Sequence, residues 1–422
     1  MHKFYLKSMG CKSNQFEGQI VAEKLADAGY VSVNNIKKLN EGDFYILNSC
    51  SVTHKSDNEA MYFLRHAHSL GFKTILTGCI AQIEQEKLLK EDYIDYVFGN
   101  EDKFKLAEYL DNNQNYAVKN LMTETAFCPV VLNDTTKTRI SLKIQDGCDN
   151  RCSYCVIPFG RGKSRSASPE FIISEINRYA ENGYKEVVLT GIHIGLWGKE
   201  WGQTLLQLLQ KIEKETNIHR YRLGSLNPHE ITNELLDFLQ ISEKFCPHFH
   251  LSLQSACNNT LKRMNRHYAV EYYLEQIEDI VSRFDNPFLG SDIIAGFVGE
   301  TDKDFETTVE NLKKSKLSKI HVFPYSLRKG TKAEKMEGHL PDFVKDERAS
   351  IIKKISFDKY ESFIQKNIGT SQEVLIEKHP DKRTGKFKGI TRNYLNIILE
   401  SGQFNTLQNV ILSNDNILRH ID

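Results

Sequence analysis

Short apolar runs recur along the first hundred residues, and each is followed by a stretch of helical period. Lys3-Phe4-Tyr5-Leu6 leads to Gly10-Cys11, Asp43 to Ser49 leads to Cys50, and Thr74-Ile75-Leu76-Thr77-Gly78 leads to Cys79. Glu17 to Ala28 and Glu59 to Ser69 place apolar residues at helical spacing. The alternation predicts a doubly wound parallel α/β domain over residues 1–115, ending after a helical stretch from Lys103 to Leu110. A polar connector opens at Asp111-Asn112-Asn113 and carries Cys128-Pro129, where the cysteine has no partner at ligand spacing and reads as structural.

Residues 139–362 again alternate strands with helices. Ile140 to Ile144, Glu186 to Thr190, Tyr221 to Ser225, His248 to Leu253, Phe288 to Gly296 and His321 to Tyr325 read as strands, with helical patterns such as Pro169 to Asn182 between them. Six β/α units of this kind predict a partial parallel barrel whose functional residues gather at the carboxyl ends of its strands. The last segment, 366–422, changes character. Glu373 to Glu377, Phe387 to Ile390, Tyr394 to Leu399 and Asn409 to Leu412 are short strands separated by Gly, Asn and Asp, the pattern of a small antiparallel barrel.

Composition narrows the class. The 422 residues suffice for two or three cores. Lysine plus arginine and aspartate plus glutamate both total 55, so net charge gives no sign of nucleic acid, and any such partner must be held by local patches. No apolar run approaches the ~18 residues of a membrane span, and the amino terminus lacks the charged and apolar regions of a secretion signal. Nine cysteines in such a chain point to thiols in a reducing cytoplasm and not to disulfides.

Six of those cysteines carry chemistry. Cys148, Cys152 and Cys155 form a C-x3-C-x2-C run in one loop after the first barrel strand, offering three thiolates and no obvious fourth. A closed zinc site takes four ligands, so three invite an iron–sulfur cluster with one iron left open. The alternative is a zinc loop completed by His248, His250 or a distant cysteine. Cys11, Cys50 and Cys79 each stand just past a predicted strand, and in an open parallel sheet such positions converge on one rim. Three thiols there form a second potential cluster site. Cys246 and Cys257 share no ligand spacing with either set and read as small buried residues.

The spacing of the 148–155 run, with Tyr154 before its last cysteine, resembles the radical S-adenosylmethionine (SAM) superfamily. Both triads together resemble the methylthiotransferases of that superfamily over the whole length. The matching stretches are Met9 to Asn14, Leu47 to Thr53, Leu76 to Cys79, Gly147 to Gly162, His250 to Ser255 and His321 to Ser326. The resemblance implies two [4Fe–4S] clusters, one on Cys148, Cys152 and Cys155 that binds and cleaves SAM, and one on Cys11, Cys50 and Cys79 that carries sulfur. Two SAM molecules are used per turnover, and the product is a methylthiolated carbon. It further implies a radical SAM core for the barrel and a TRAM-like RNA-binding domain for 366–422. Tyr154, Gly191, His193, Gln254 and Ser255 match positions near SAM, although His193 reads equally as a substrate contact or a loop cap. Arg161 and Arg165, in the basic segment after the cluster loop, match a stretch that faces substrate and are candidates for RNA contact. Lys382, Arg383, Lys386 and Lys388 form a basic hairpin able to meet phosphates, the alternative being a solvated loop. Arg263 and Arg266 stand where a SAM carboxylate, an RNA phosphate or only solvent is the partner. Val298 departs from the family, which has proline there.

Within the family, three stretches resemble the group acting on threonylcarbamoyladenosine of tRNA: Leu189 to Gly195, Leu223 to Pro228 and Leu261 to Tyr268. Isopentenyladenosine in tRNA and an aspartate of a ribosomal protein are the other family substrates. The expected partners are the tRNA anticodon stem-loop, at position 37, and an electron donor such as a reductase, flavodoxin or ferredoxin. An iron–sulfur RNA-binding protein that carries electrons without catalysis would use the same cysteines. Formation of 5′-deoxyadenosine from SAM separates the two.

Overall fold

The computed structural model describes residues 2–51, 53–133 and 137–419, so Val52 of the second cysteine stretch and residues 420–422 lie outside the description. The amino-terminal sheet contains β1 (Lys3–Ser8), β2 (Val31–Ser32), β3 (Phe44–Ser49), β4 (Lys73–Gly78), β5 (Tyr96–Phe98) and β6 (Tyr116–Ala117). Their order is β2-β1-β3-β4-β5-β6, all parallel. Every residue of β3 is buried, because helices cover both faces. Ile46 and Ile75 pack with Phe16, Ile20 and Val21 of helix Lys12–Asp27 on one face. Leu47 and Leu76 pack with Ala60 and Leu64 of helix His54–Ser69 on the other. Both helices begin five residues before the sequence expectation. Thr53 caps the second by accepting the Ser56 N–H, and Cys11 itself is the residue preceding the first.

Six parallel strand positions follow. After β7 (Ile140–Lys143), a two-stranded antiparallel ribbon of β8 (Gln145–Asp146) and β9 (Arg165–Ser166) closes the base of the cysteine loop. Then come β10 (Glu186–Thr190), β11 (Arg220–Leu223), β12 (Ser225–Leu226), β13 (His248–Leu251), β14 (Phe288–Ala295) and β15 (Lys319–Pro324). Hydrogen bonding runs β7-β10-β11 and β12-β13-β14-β15, with only Gly224 between β11 and β12. A bridge from Tyr221 to Phe245 joins the halves. Among the described residues β7 and β15 are not paired, so the array is open on the side where the first helix lies. Alternation divides each strand. Val187, Leu189, Tyr221, Leu223, Phe249, Leu251, Leu289 and Ile293 join the surrounding helices in one large core. The intervening residues, Glu186, Arg222, His248, His250, Asp292 and His321 among them, face the interior, which is therefore polar.

Helix Asp342–Asn367 runs unbroken across the boundary expected between 362 and 366. It leads into a four-stranded antiparallel sheet of β16 (Ser371–Ile376), β17 (Phe387–Thr391), β18 (Asn396–Leu399) and β19 (Leu407–Ile411), ordered β18-β17-β16-β19. Val374, Ile376, Leu395 and Ile397 pack with Tyr360 and Phe363 of that helix and with Phe288 at the start of β14. No helix among the described residues is long and apolar enough to cross a membrane.

Candidate active site

Strand order places the amino-terminal thiols. In an order of 2-1-3-4-5 the crevice opens at the carboxyl ends of β1 and β3, where the strand order reverses. Cys11 and Cys50 follow those two strands, and Cys79 follows β4. The approach is close: a β-carbon on Gly10 would lie 2.3 Å from Cys50 Sγ, and Gly10 has φ +82°. Only glycine lets the two cysteines stand side by side there. Desolvation raises the Cys11 thiol above its ordinary value, Arg161 pulls it down and Cys79 pushes it up, so these groups share one site. Asn100 Nδ2 points at Cys79 Sγ from 3.7 Å.

The second triad lies in the loop held at its base by the ribbon. Cys148 N–H donates to Gly162 O, and Cys155 N–H donates to Cys152 O. Burial pushes the Cys155 thiol up to about 12, with Cys152 and Cys148 adding to the rise and Arg266 opposing it. The Arg266 guanidinium stands 3.5 Å from Cys152 Sγ and is fixed by Asn227 Oδ1 (2.7 Å) and Ser252 O (2.9 Å). His193 Nδ1 lies 3.6 Å from Cys148 Sγ, its Nε2 meets Glu230, and Gln145 Oε1 accepts its backbone N–H at 2.6 Å. Although burial disfavours its charge, the bonds to Cys148 and Glu230 raise His193 to about 9. His193 is thus a neighbour of the cysteine loop.

The two triads meet across one interface. Helix Cys79–Ile83 packs against helix Ile157–Arg161, which directly follows the second triad, and Asn100 Nδ2 donates to Gly160 O at 2.6 Å. Beneath this contact lies a buried ion network. Glu17 meets Lys103 (2.6 Å), Lys143 (2.8 Å) and Arg161 (2.5 Å), while Asp146 meets Lys143 (3.0 Å) and, more distantly, Arg165. Burial works to raise the Glu17 carboxyl, but Arg161, Lys103 and Lys143 outweigh it and hold it well below the usual range. Glu17 and Lys103 come from the amino-terminal sheet's surroundings, and the remaining groups from the barrel.

This network corrects the expectation for Arg161 and Arg165. Both are 1% exposed, and their guanidinium groups are committed to Glu17, Asp146 and Glu101. Neither is available to RNA phosphates. Ser255 also turns inward: it is buried, and its hydroxyl accepts the Cys257 N–H. Gln254, at φ +70°, pairs with β14 through Asp292 O and Ile294 N–H. Tyr154 meets Phe297 edge-on at 6.1 Å in a cluster that includes Val298. Gly191 adjoins Gln145, whose carbonyl stands 2.8 Å from where a β-carbon would be.

His248 packs on Phe288 and Tyr394, and His250 meets Ser225 (2.9 Å) and Asp292 (3.4 Å), so neither completes a zinc loop with the thiols. Arg263 lies against Gly299. Cys246 is buried, and Cys257 donates to Asp304. At the carboxyl-terminal hairpin Lys382 and Arg383 are exposed, whereas Lys386 is paired with Glu400 and Lys388 is half-buried.

Sequence reading missed Glu17, Lys103, Lys143, Asp146, Gln145 and Glu230. For Glu17 a signal existed: it shares the helix stripe of Ser13, Phe16, Ile20 and Val21, so a charge there had to be buried and paired.

The donor sets fit clusters better than single ions. Among the described residues no three His, Cys, Asp or Glu side chains converge tightly enough for one metal ion. An iron–sulfur cluster takes each thiolate at a different corner and needs no such convergence. A parallel barrel with three thiols in the loop after its first strand, and no fourth, defines a radical SAM protein. Residues 142–312 match the Radical SAM superfamily and residues 3–99 match the Uncharacterized protein family UPF0004. The threonylcarbamoyladenosine tRNA methylthiotransferase MtaB of Thermotoga maritima is 32% identical over 98% of this chain and 95% of its own. MtaB of Aquifex aeolicus is 35% identical over 94% and 96%. The tRNA-2-methylthio-N(6)-dimethylallyladenosine synthase of Thermodesulfovibrio yellowstonii is 34% identical over 90% of each chain. The radical SAM methyltransferase TsrM of Kitasatospora setae shares the fold, with TM-score 0.54 at 13% identity over 76% of this chain and 75% of that one. The chain belongs to the radical SAM methylthiotransferases, enzymes that use [4Fe–4S] and SAM to transfer a sulfur-containing group.

Proposed function

We propose that this enzyme methylthiolates N6-threonylcarbamoyladenosine at position 37 of tRNA, using two [4Fe–4S] clusters. The observation that carries the two-cluster reading is the meeting of two thiol triads, each without a fourth protein ligand among the described residues, across the contact of helices Cys79–Ile83 and Ile157–Arg161. When bound, the clusters and SAM supply a deoxyadenosyl radical and a methylthio group. Cys148, Cys152 and Cys155 hold the SAM-cleaving cluster, and Cys11, Cys50 and Cys79 hold the other. His193 and Arg266 fix the thiols of Cys148 and Cys152 from opposite elements and give that cluster a positive surround. Tyr154, Gly191 and Gln254 rim the SAM site. The buried network around Glu17 keeps the two halves in register, so that the distance between the triads does not vary during turnover.

The substrate assignment is supported by relatives of that name at 32% and 35% identity over nearly the whole chain, together with the three stretches at 189–195, 223–228 and 261–268. The carboxyl-terminal sheet is assigned as a TRAM-like module that grips the anticodon stem-loop, with Lys382 and Arg383 foremost. A cytoplasmic flavodoxin, ferredoxin or reductase supplies electrons. Mass spectrometry of nucleosides from total tRNA of a strain lacking the gene tests the reading. Loss of the 2-methylthio form of threonylcarbamoyladenosine supports it. Loss of the 2-methylthio isopentenyl nucleoside instead reassigns the substrate.

A further inference from the structure

Lys12 directly follows Cys11 and opens the first helix, yet its side chain leaves the amino-terminal sheet. Its ammonium nitrogen stands 5.7 Å from the Tyr394 ring centroid. The same charge acts on His248 and His321, which face inward from β13 and β15. The Lys12 side chain therefore enters the barrel interior through its open side. Arg139 and Arg222 lie 5.9 and 4.9 Å from the same ring, and Lys137 feels both Arg139 and Lys12.

The acids of this interior are spoken for. Glu186 takes Arg220 (2.7 Å), Arg222 (3.2 Å) and Arg139 (3.6 Å), and Asp292 takes His250. Among the described residues Lys12 has no carboxylate at ion-pair distance, and its side chain is exposed. The positive surplus is strong enough that the half-buried Tyr394 phenol sits below its ordinary value: desolvation raises it, and Lys12, Arg139 and Arg222 overcome that. A water-accessible cation with Arg139 and Arg222 around the same ring and no acid of its own is suited to receive an anion.

Substrate chemistry says which anion. In adenine, C2 and C6 flank N1, so a group hung on N6 lies on the same edge as C2. Lys12 adjoins Cys11 on the rim of the amino-terminal triad, so a nucleotide whose C2 is brought to the 11–50–79 site would carry its N6 group toward the side chains of that rim. We infer that Lys12, with the Tyr394 hydroxyl, binds the carboxylate borne by the N6 group and is the residue that selects a carboxylate-bearing adenosine over one with an uncharged N6 substituent. An apolar group there would leave the ammonium desolvated and unpaired, which rejects it as effectively as the ion pair attracts the acid. This inference rests on the proposed reaction at N6-threonylcarbamoyladenosine.

The test uses three anticodon stem-loops, bearing threonylcarbamoyladenosine, its carboxamide, and isopentenyladenosine. Dissociation constants from fluorescence anisotropy and kcat/KM are measured with the reconstituted wild type, Lys12→Met and Lys12→Arg. The wild type should favour the carboxylate over the carboxamide by roughly tenfold or more, the scale of one hydrogen bond to a charged group. Lys12→Met should bring that ratio to about one, and Lys12→Arg should retain part of it. Because each ratio is read within one protein, poorer folding or cluster loading cancels. A wild-type ratio preserved in Lys12→Met overturns the inference while leaving the substrate assignment intact. A wild type that modifies only the isopentenyl stem-loop overturns the substrate assignment, and the inference falls with it.

Discussion

The two cysteine triads reach similar ends by opposite routes. Cys148, Cys152 and Cys155 are neighbours in the chain, and their arrangement depends on one loop closed by the two-residue strands β8 and β9. Cys11, Cys50 and Cys79 are brought together by the order of β1, β3 and β4 and by the bare backbone of Gly10. A contiguous site tolerates movement elsewhere, whereas an assembled one is as stable as the sheet and the interface behind it. The two triads should therefore differ in what breaks them.

The largest separation is expected from removing single ligands. Cys152→Ala should abolish formation of 5′-deoxyadenosine and lower iron by about half while leaving the amino-terminal cluster, given four irons per triad. Cys50→Ala should retain SAM cleavage and lose methylthiolated product. Product from Cys50→Ala would show that the assembled triad is not part of the reaction.

A smaller and more selective effect should follow Glu17→Gln. The substitution leaves Lys103, Lys143 and Arg161 buried without their shared carboxylate, a loss of about 3 to 5 kcal/mol in unfolding free energy by the usual cost of breaking a buried ion pair. Denaturant melts check the magnitude. Iron and EPR measurements check the selectivity, since the 11–50–79 site should empty first. Equal loss from both sites would mean that the interface supports the contiguous loop as much as the assembled rim.

The smallest effect on either triad should come from the far end of the molecule. Neutralising Lys382, Arg383, Lys386 and Lys388 together should weaken tRNA binding and leave both iron contents unchanged. Each lost phosphate contact removes about 0.7 to 0.9 from the slope of log affinity against log salt. Because Lys386 already pairs with Glu400, the total should fall short of four contacts. An unaltered slope assigns the hairpin to solvent.

The fold, and the placement of the six thiols at strand ends and in the loop after β7, are largely legible because they follow from period and spacing. The runs before Cys11, Cys50 and Cys79 are β1, β3 and β4, and the six central runs are barrel strands. Helix starts are less visible: Thr53 acts through one side-chain bond to the Ser56 N–H, and Cys11 precedes its helix with no side-chain cap at all. The fate of charges was least visible. Arg161 and Lys382 look alike in a sequence, but one meets Glu17 from 144 positions away and the other meets solvent. Long-range pairing of that kind leaves no local trace except on the partner, where a carboxylate interrupts the apolar stripe of a helix.

One end of the barrel has a consequence for turnover. Arg222 reaches Thr391 O and Arg392 O, and Tyr394 lies on His248 at 4.3 Å and Phe288 at 5.4 Å, so the turn after β17 stops the amino ends of the strands like a plug. The barrel interior is therefore closed at its amino end. A molecule bound within it enters and leaves past the carboxyl ends of the strands or the gap between β7 and β15, the sides on which the cysteine triads stand.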